Sequence, residues 1–307
     1  MSIAAFLSDL RRNDIHVWLD GETLRCDARA GALNEATRAE LRERKSEIIG
    51  FLNLSESLAR QPDAIVPIQP HGFERPIFGV PPHTGDVFAY RAFAHALGPE
   101  HPFFGLQPPG VDTSAPPIES VDALAKYFAE QIRTFQPRAP WIIAGYCMGG
   151  TVAYELAQQL SGGRSDAVVL LFFGVPYPSF FGPASLFRHQ LGNRAKGWRQ
   201  RMRLLLAQSG RERMDYVKWR IALIHQTPDE ATQRRSRLEA ATLNAVRAYA
   251  PRPFGGRVCH FIPCQTWARR SRARTERWRA LVPRIEAYYG PEGATADDML
   301  LGAHADA

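Results

Sequence analysis

Cysteine is scarce. The 307 residues hold four, Cys26, Cys147, Cys259 and Cys264, without a CxxC pair or a His-rich partner spacing. Neither a disulfide framework nor a zinc site is indicated. Long apolar runs are missing as well: no window reaches the roughly 18 uncharged apolar residues that a bilayer span requires. The N-terminal stretch MSIAAFLSDLRRND meets charge too early for a signal peptide. The expectation is a cytoplasmic protein without a membrane partner. No metal, nucleotide or flavin motif is present, so no bound cofactor and no metal is expected.

What the chain has is ordinary globular material with a basic excess. At 45% hydrophobic residues it can bury a full core, and its length suits one large domain with a small addition. The net charge of +7 is unevenly spread, with arginines dense at 194–220 and 269–279. A solvated helix face is the ordinary reading of such runs. A nucleic-acid partner would be accompanied by a helix-turn-helix, a zinc finger or an interleaved aromatic and basic ladder, and none is present. An acidic protein partner fits better, because a basic patch speeds encounter with one.

The first fifty residues form a unit. Ser2 can cap a helix in which Ile3, Phe6, Leu7 and Leu10 recur at helical spacing. Ile15, Val17 and Leu19 then alternate, Asp20-Gly21 supplies a hairpin turn, and Leu24 and Cys26 continue on the return. Asn34 caps a second helix carrying Leu41, Ile48 and Leu52 on one side. Such a small unit is marginal alone, so it should dimerise or dock. The stretches FLSDLRRNDIHVWLDGETLRC and ALNEATRAELRERKSEIIGFL resemble the TubC-type N-terminal docking domains of nonribosomal peptide and mixed polyketide assembly lines. The resemblance implies that the hairpin edge receives the C-terminal tail of an upstream synthase subunit as an added strand. An exposed edge and the basic residues Arg25 and Arg29 suit an acidic tail. A homodimer formed through this unit is a further expectation.

Domain boundaries follow: a docking unit at 1–53, a Ser-, Gln- and Pro-containing linker at 54–72, and a large domain at 73–307. In the large domain a short strand from Ile77, a loop at 81–86 and a helix are followed by the strand in HPFFGL and a helix over 121–135. WIIAGYCMGGTVAYELAQQL is a strand, a tight turn and a helix, and 167–173 is another buried strand. Alternation of this kind predicts an α/β class with a mainly parallel sheet. Gly145-Tyr146-Cys147-Met148-Gly149 has the form of a nucleophile elbow, which exposes one side chain above the sheet. The N–H of Met148 and the loop around Pro82, His83 and Thr84 are the candidate oxyanion donors. A buried small hydrophobe in a glycine turn is the ordinary alternative for Cys147.

From about residue 75 the chain resembles the type I thioesterase domains that release products from nonribosomal peptide and polyketide synthases. FAYRAFAHALGPEHPFFGLQPPGVD and the elbow segment carry that resemblance, with WRALV and DDMLLGAHADA near the end. It implies an α/β-hydrolase fold with a helical lid, here at about 177–249, and an acidic acyl or peptidyl carrier protein presenting a thioester on its phosphopantetheine arm. A thiol in place of the family's serine suits capture and transfer as much as hydrolysis, since exchanging one thioester for another is nearly isoenergetic.

The resemblance also marks two departures. Gly174 stands where the acid is expected and Ala296 where the base is, with Asp297 and Asp298 beside it. In this register His304 matches a second, non-catalytic His of the family that opens the last helix; a shifted register would instead make His304 the base, and His83 and His225 are other imidazoles that could approach Cys147. The reading is a stand-alone thioesterase-like enzyme of natural-product biosynthesis that takes a carrier-bound chain onto Cys147 and releases it by hydrolysis or cyclisation. Transfer between carriers is the second reading, and a catalytically degenerate docking or scaffold protein the third.

Overall fold

The computed structural model describes residues 3–13, 15–28, 33–59, 62–111, 115–178, 230–271 and 275–301. The N-terminal unit comprises α1 (Ile3–Arg12), the hairpin β1 (Ile15–Asp20) and β2 (Thr23–Ala28), α2 (Glu35–Glu43) and α3 (Lys45–Ala59). Ile3, Phe6, Leu7 and Leu10 meet Ile15, Leu41 and Ile48 in a small core of their own. The hairpin register places Asp20 opposite Thr23, so Gly21 and Glu22 make the turn, one residue later than the sequence suggested. Cys26, expected on the inner face, is exposed. Both α1 and α3 pack on β1 and leave β2 at the margin.

Asn34 caps α2 as expected, its Oδ1 accepting the Thr37 N–H at 2.8 Å. The single helix predicted beyond it is two helices, broken at Arg44 (φ −92°, ψ 13°). The guanidinium there binds Glu40 and Glu47 and lies 5.1 Å from the centroid of the Phe6 ring, an arrangement that ties the corner to α1. Segment 54–72 is not the open linker expected. Its first part extends α3, whose Leu54 enters the core of the large domain, and β3 (Ile65–Gln69) pairs antiparallel with an edge of the main sheet. Pro67 misled the reading, because an edge strand tolerates a residue that cannot donate to the ladder. Arg138 and Glu22, 3.8 Å apart, add an exposed contact between the two units.

The main sheet has seven strands in the order β3-β5-β4-β6-β7-β8-β9: β4 (Ile77–Val80), β5 (Phe103–Leu106), β6 (Trp141–Tyr146), β7 (Val168–Phe173), β8 (Arg257–Ile262) and β9 (Arg284–Tyr289). All pairings except β3 with β5 are parallel. Trp141 and Ile143 face one core, while Ala144 and Tyr146 face the other. Both faces of β6 are therefore buried, which is why WIIAGY reads as a continuous apolar run. The first core is covered by α5 (Val121–Phe135), α6 (Gly149–Ser161) and α7 (Glu230–Ala248). The second is covered by α4 (Arg91–Ala96), the preceding 3-10 turn Val87–Tyr90 and the C-terminal helix Asp298–Leu301. Ser120 caps α5 at 3.1 Å, and Leu124, Phe128, Ile132 and Phe135 bury one stripe. Each such side chain contributes about 1.5–3 kcal/mol of gross transfer free energy.

Of the lid expected at 177–249, the described part is its two first residues and α7 with the chain that follows. Residues 179–229, including the arginine-dense 194–220 segment and His225, lie outside the described residues. The end of α7 is anchored on α6: the buried Glu155 carboxylate accepts the Tyr249 hydroxyl at 2.7 Å and the Arg252 guanidinium at 2.9 Å. No described helix is long and apolar enough to cross a membrane.

Candidate active site

Strand β6 delivers Cys147 into a conformation that L-residues avoid. Its φ is +51°, the one positive value for a non-glycine among the described residues. The strain is held by neighbours: the Cys147 N–H donates to the Phe173 carbonyl at 3.1 Å, and its own carbonyl accepts the Gly150 N–H at 3.2 Å. Helix α6 starts at once, and its first turn lies hard against the loop after β4. A Cβ on Gly149 would stand 2.1 Å from the Pro81 oxygen, so only glycine fits. The sequence pattern glycine-x-cysteine-x-glycine is thus realised as a strained strand-to-helix turn.

Burial pushes the Cys147 thiol up to about 11, although the residue keeps part of its surface exposed. The Met148 N–H, hydrogen-bonded to the thiol, acts in the opposite direction, and the negative charge of Asp297 adds to the rise. The resting group is a thiol, not a thiolate.

Met148 stands at the N-terminal end of α6 with its N–H beside the sulfur. His83 lies in the 81–86 loop, which Pro81 anchors against the first turn of α6 and which folds back through a Gly85 N–H to Pro82 carbonyl bond of 3.0 Å. Its Nδ1 is buried without a hydrogen-bond partner among the described residues. His304 lies outside the described residues.

The two departures come together in space. Gly174 directly follows β7 with φ +54°, and a Cβ placed on it would stand 2.9 Å from the Ala296 Cβ. Ala296 packs against the same cluster as Cys147. The two positions that the resemblance gives to acid and base are therefore neighbours near the thiol, but the main chains approach too closely for a carboxylate and an imidazole to stand between them. Gly174→Asp is expected to destabilise the fold by about 1–3 kcal/mol through this overpacking. It should leave any acyl-capture rate no higher. Urea unfolding beside a single-turnover assay checks both.

Sequence reasoning named Asp297 but gave it no role. In the structure its carboxylate accepts a hydrogen bond from the hydroxyl of Tyr146, the residue before Cys147. That bond and the Asp297 charge, after burial, hold the Tyr146 phenol well above its usual range. A groove of about 440 Å³ runs beside the 81–86 loop, where Val87, Phe88, Val111 and Leu238 meet Asp86 and Arg235.

Comparison with known proteins bears on the fold and the order of the two units. Residues 75–209 match the thioesterase domain model, and residues 3–53 match the TubC N-terminal docking domain. The polyketide synthase PksR of Bacillus subtilis (strain 168) is 31% identical over 127 residues, 41% of this chain and 5% of that protein. Atromentin synthetase of Tapinella panuoides is 32% identical over 127 residues, 41% of this chain and 13% of its own. The match thus spans only a small part of these relatives' length. The NocB thioesterase domain from the nocardicin cluster superposes with a TM-score of 0.56 at 19% identity, covering 80% of this chain and 95% of that one. This likeness identifies the large domain as an α/β-hydrolase fold. The chain belongs to the thioesterase domain family over residues 75–209, joined to a TubC N-terminal docking domain over residues 3–53.

Proposed function

We propose that the protein docks on a nonribosomal peptide or polyketide synthase, takes an acyl or peptidyl group from the phosphopantetheine arm of a carrier protein onto Cys147, and then releases it. The observation that carries this reading is the elbow itself, with Cys147 held at φ +51° at the head of α6. A strained conformation supported by glycines is retained where a side chain must project toward a reacting group. In this reading the N–H groups of Met148 and His83 receive the oxyanion, and the apolar part of the groove beside the 81–86 loop takes the chain. The docking hairpin agrees with a synthase partner, since β1 and β2 pair only with each other and each keeps a free edge among the described residues. Arg25, read as available to an acidic tail, is already 3.3 Å from Asp20, and Arg29 lies outside the described residues.

The contact between Gly174 and Ala296 favours a second reading, delivery of the chain to another carrier thiol. Water must be activated by a base before it attacks, whereas a thiol is a strong nucleophile once ionised. Intact-mass spectrometry after mixing the protein with an acyl-loaded carrier tests the core of the proposal. An adduct of the acyl mass is expected on the wild type and none on Cys147→Ala. Decay of that adduct in buffer marks hydrolysis, and decay only on addition of free carrier marks transfer. If neither an adduct nor Cys147-dependent unloading is seen, the proposal fails and the fold serves as a scaffold.

A further inference from the structure

We propose that Asp297 is the group that exchanges the proton of the Cys147 thiol during acyl capture, with Tyr146 holding its carboxylate in place. This rests on the reading that Cys147 accepts the acyl chain. Three observations converge on Asp297. It directly follows Ala296, which packs on the same cluster as Cys147 and touches the end of β7. Its carboxylate is bound by the hydroxyl of the residue adjacent to the nucleophile. Its charge also acts on the thiol, which places the carboxylate within electrostatic range of the sulfur.

Tyr146 is well placed to do the holding. Its side chain is 6% exposed and belongs to the core cluster formed by Tyr90, Phe103 and Phe173, so the ring cannot wander. The loop that carries Asp297 is fixed from the other side as well. Asp298 Oδ2 accepts the Thr295 N–H at 2.8 Å, and the Leu300 N–H returns to the Asp297 carbonyl at 3.2 Å. A carboxylate held in this way is preorganised without an imidazole.

The chemistry balances. As the Cys147 sulfur attacks the thioester carbon, its proton passes to Asp297, directly or across one water molecule, and a carbon–sulfur bond forms. When the tetrahedral adduct collapses, the carbon–sulfur bond to pantetheine breaks and the departing sulfur takes the proton back from Asp297. No oxidant, metal or further reactant is needed. A carboxylate acting in concert with attack does not have to hold the proton fully, so a weak base can serve a weakly acidic thiol.

The test separates this role from a structural one by setting two readouts against each other in the full-length protein. Asp297→Asn is expected to slow acyl loading of Cys147 from a carrier by ~10²-fold or more, the usual weight of a positioned base. The same variant should speed alkylation of Cys147 by iodoacetamide, because removing a negative charge eases thiol ionisation. Tyr146→Phe should slow loading by less. Loss of both loading and alkylation in Asp297→Asn would mean structural damage and overturn the assignment. Unchanged loading in Asp297→Asn would overturn it equally. A wild type that is never acylated instead removes the reading on which it rests.

Discussion

Alkylation of Cys147 by iodoacetamide is expected to be slow at pH 7 and to accelerate about tenfold per pH unit until it levels off near pH 11. Only the thiolate reacts, and a thiol pushed up to about 11 is ionised to roughly one part in 10⁴ at pH 7. Burial supplies most of that rise, the Asp297 charge adds to it, and the Met148 N–H offsets part of it. Site-resolved peptide mapping is needed, because Cys26 is exposed on the docking hairpin and meets the reagent without the elbow's constraint. Acyl capture should follow a different law. A reaction assisted by Asp297 does not wait for preformed thiolate, so its rate is expected to rise much less steeply with pH than alkylation does. Fast alkylation that stays flat from pH 7 to 9 would show a resting thiolate and contradict the burial argument. Parallel pH slopes for alkylation and capture would show that capture uses free thiolate alone.

The form of the elbow and the general fold were legible because their signals are local. The elbow needs five residues between an apolar strand and a helix, and all of them are contiguous. Helix α5 was read at its true bounds because Ser120 caps it and one stripe is strictly apolar. The departures Gly174 and Ala296 were legible only through the family resemblance, and their mutual contact spans 122 residues of chain, which no local pattern reports. The link from Tyr146 to Asp297 spans 151 residues and was missed for the same reason. Strands β8 and β9 were not placed at all. RVCHFI and RIEAYY mix charge with apolar residues because β9 is the outer strand of the sheet, and Arg257 reaches across to pair with Glu286 at 2.9 Å. The linker reading failed at Pro67, where an edge strand and a loop share one composition.

His260→Leu is expected to remove a steep acid-dependent loss of stability from the protein. His260 lies on β8, fully buried, opposite Phe172 in the register and with its ring centroid 5.6 Å from that of Phe172. Neither ring nitrogen has a hydrogen-bond partner among the described residues. Desolvation drives its pKa down from 6.5 to about 3, so the imidazole is neutral in the folded protein throughout the neutral range. The unfolded chain binds this proton below about 6.5, and the folded one only below about 3. Stability is therefore lost as pH falls through that window, at a slope of about 1.4 kcal/mol per unit for one proton. The cumulative cost is on the order of 4 kcal/mol by pH 3. Leucine has a similar volume and no polar atom, so it removes that slope. At pH 7, where neither state is charged, the gain is smaller, about 1–3 kcal/mol for relieving unsatisfied buried nitrogens. Urea unfolding of wild type and variant at pH 4, 5, 6 and 7 measures both quantities. The difference between them should widen with each step toward acid. Parallel curves would mean that His260 reaches a proton partner in the folded state and is not isolated in the core.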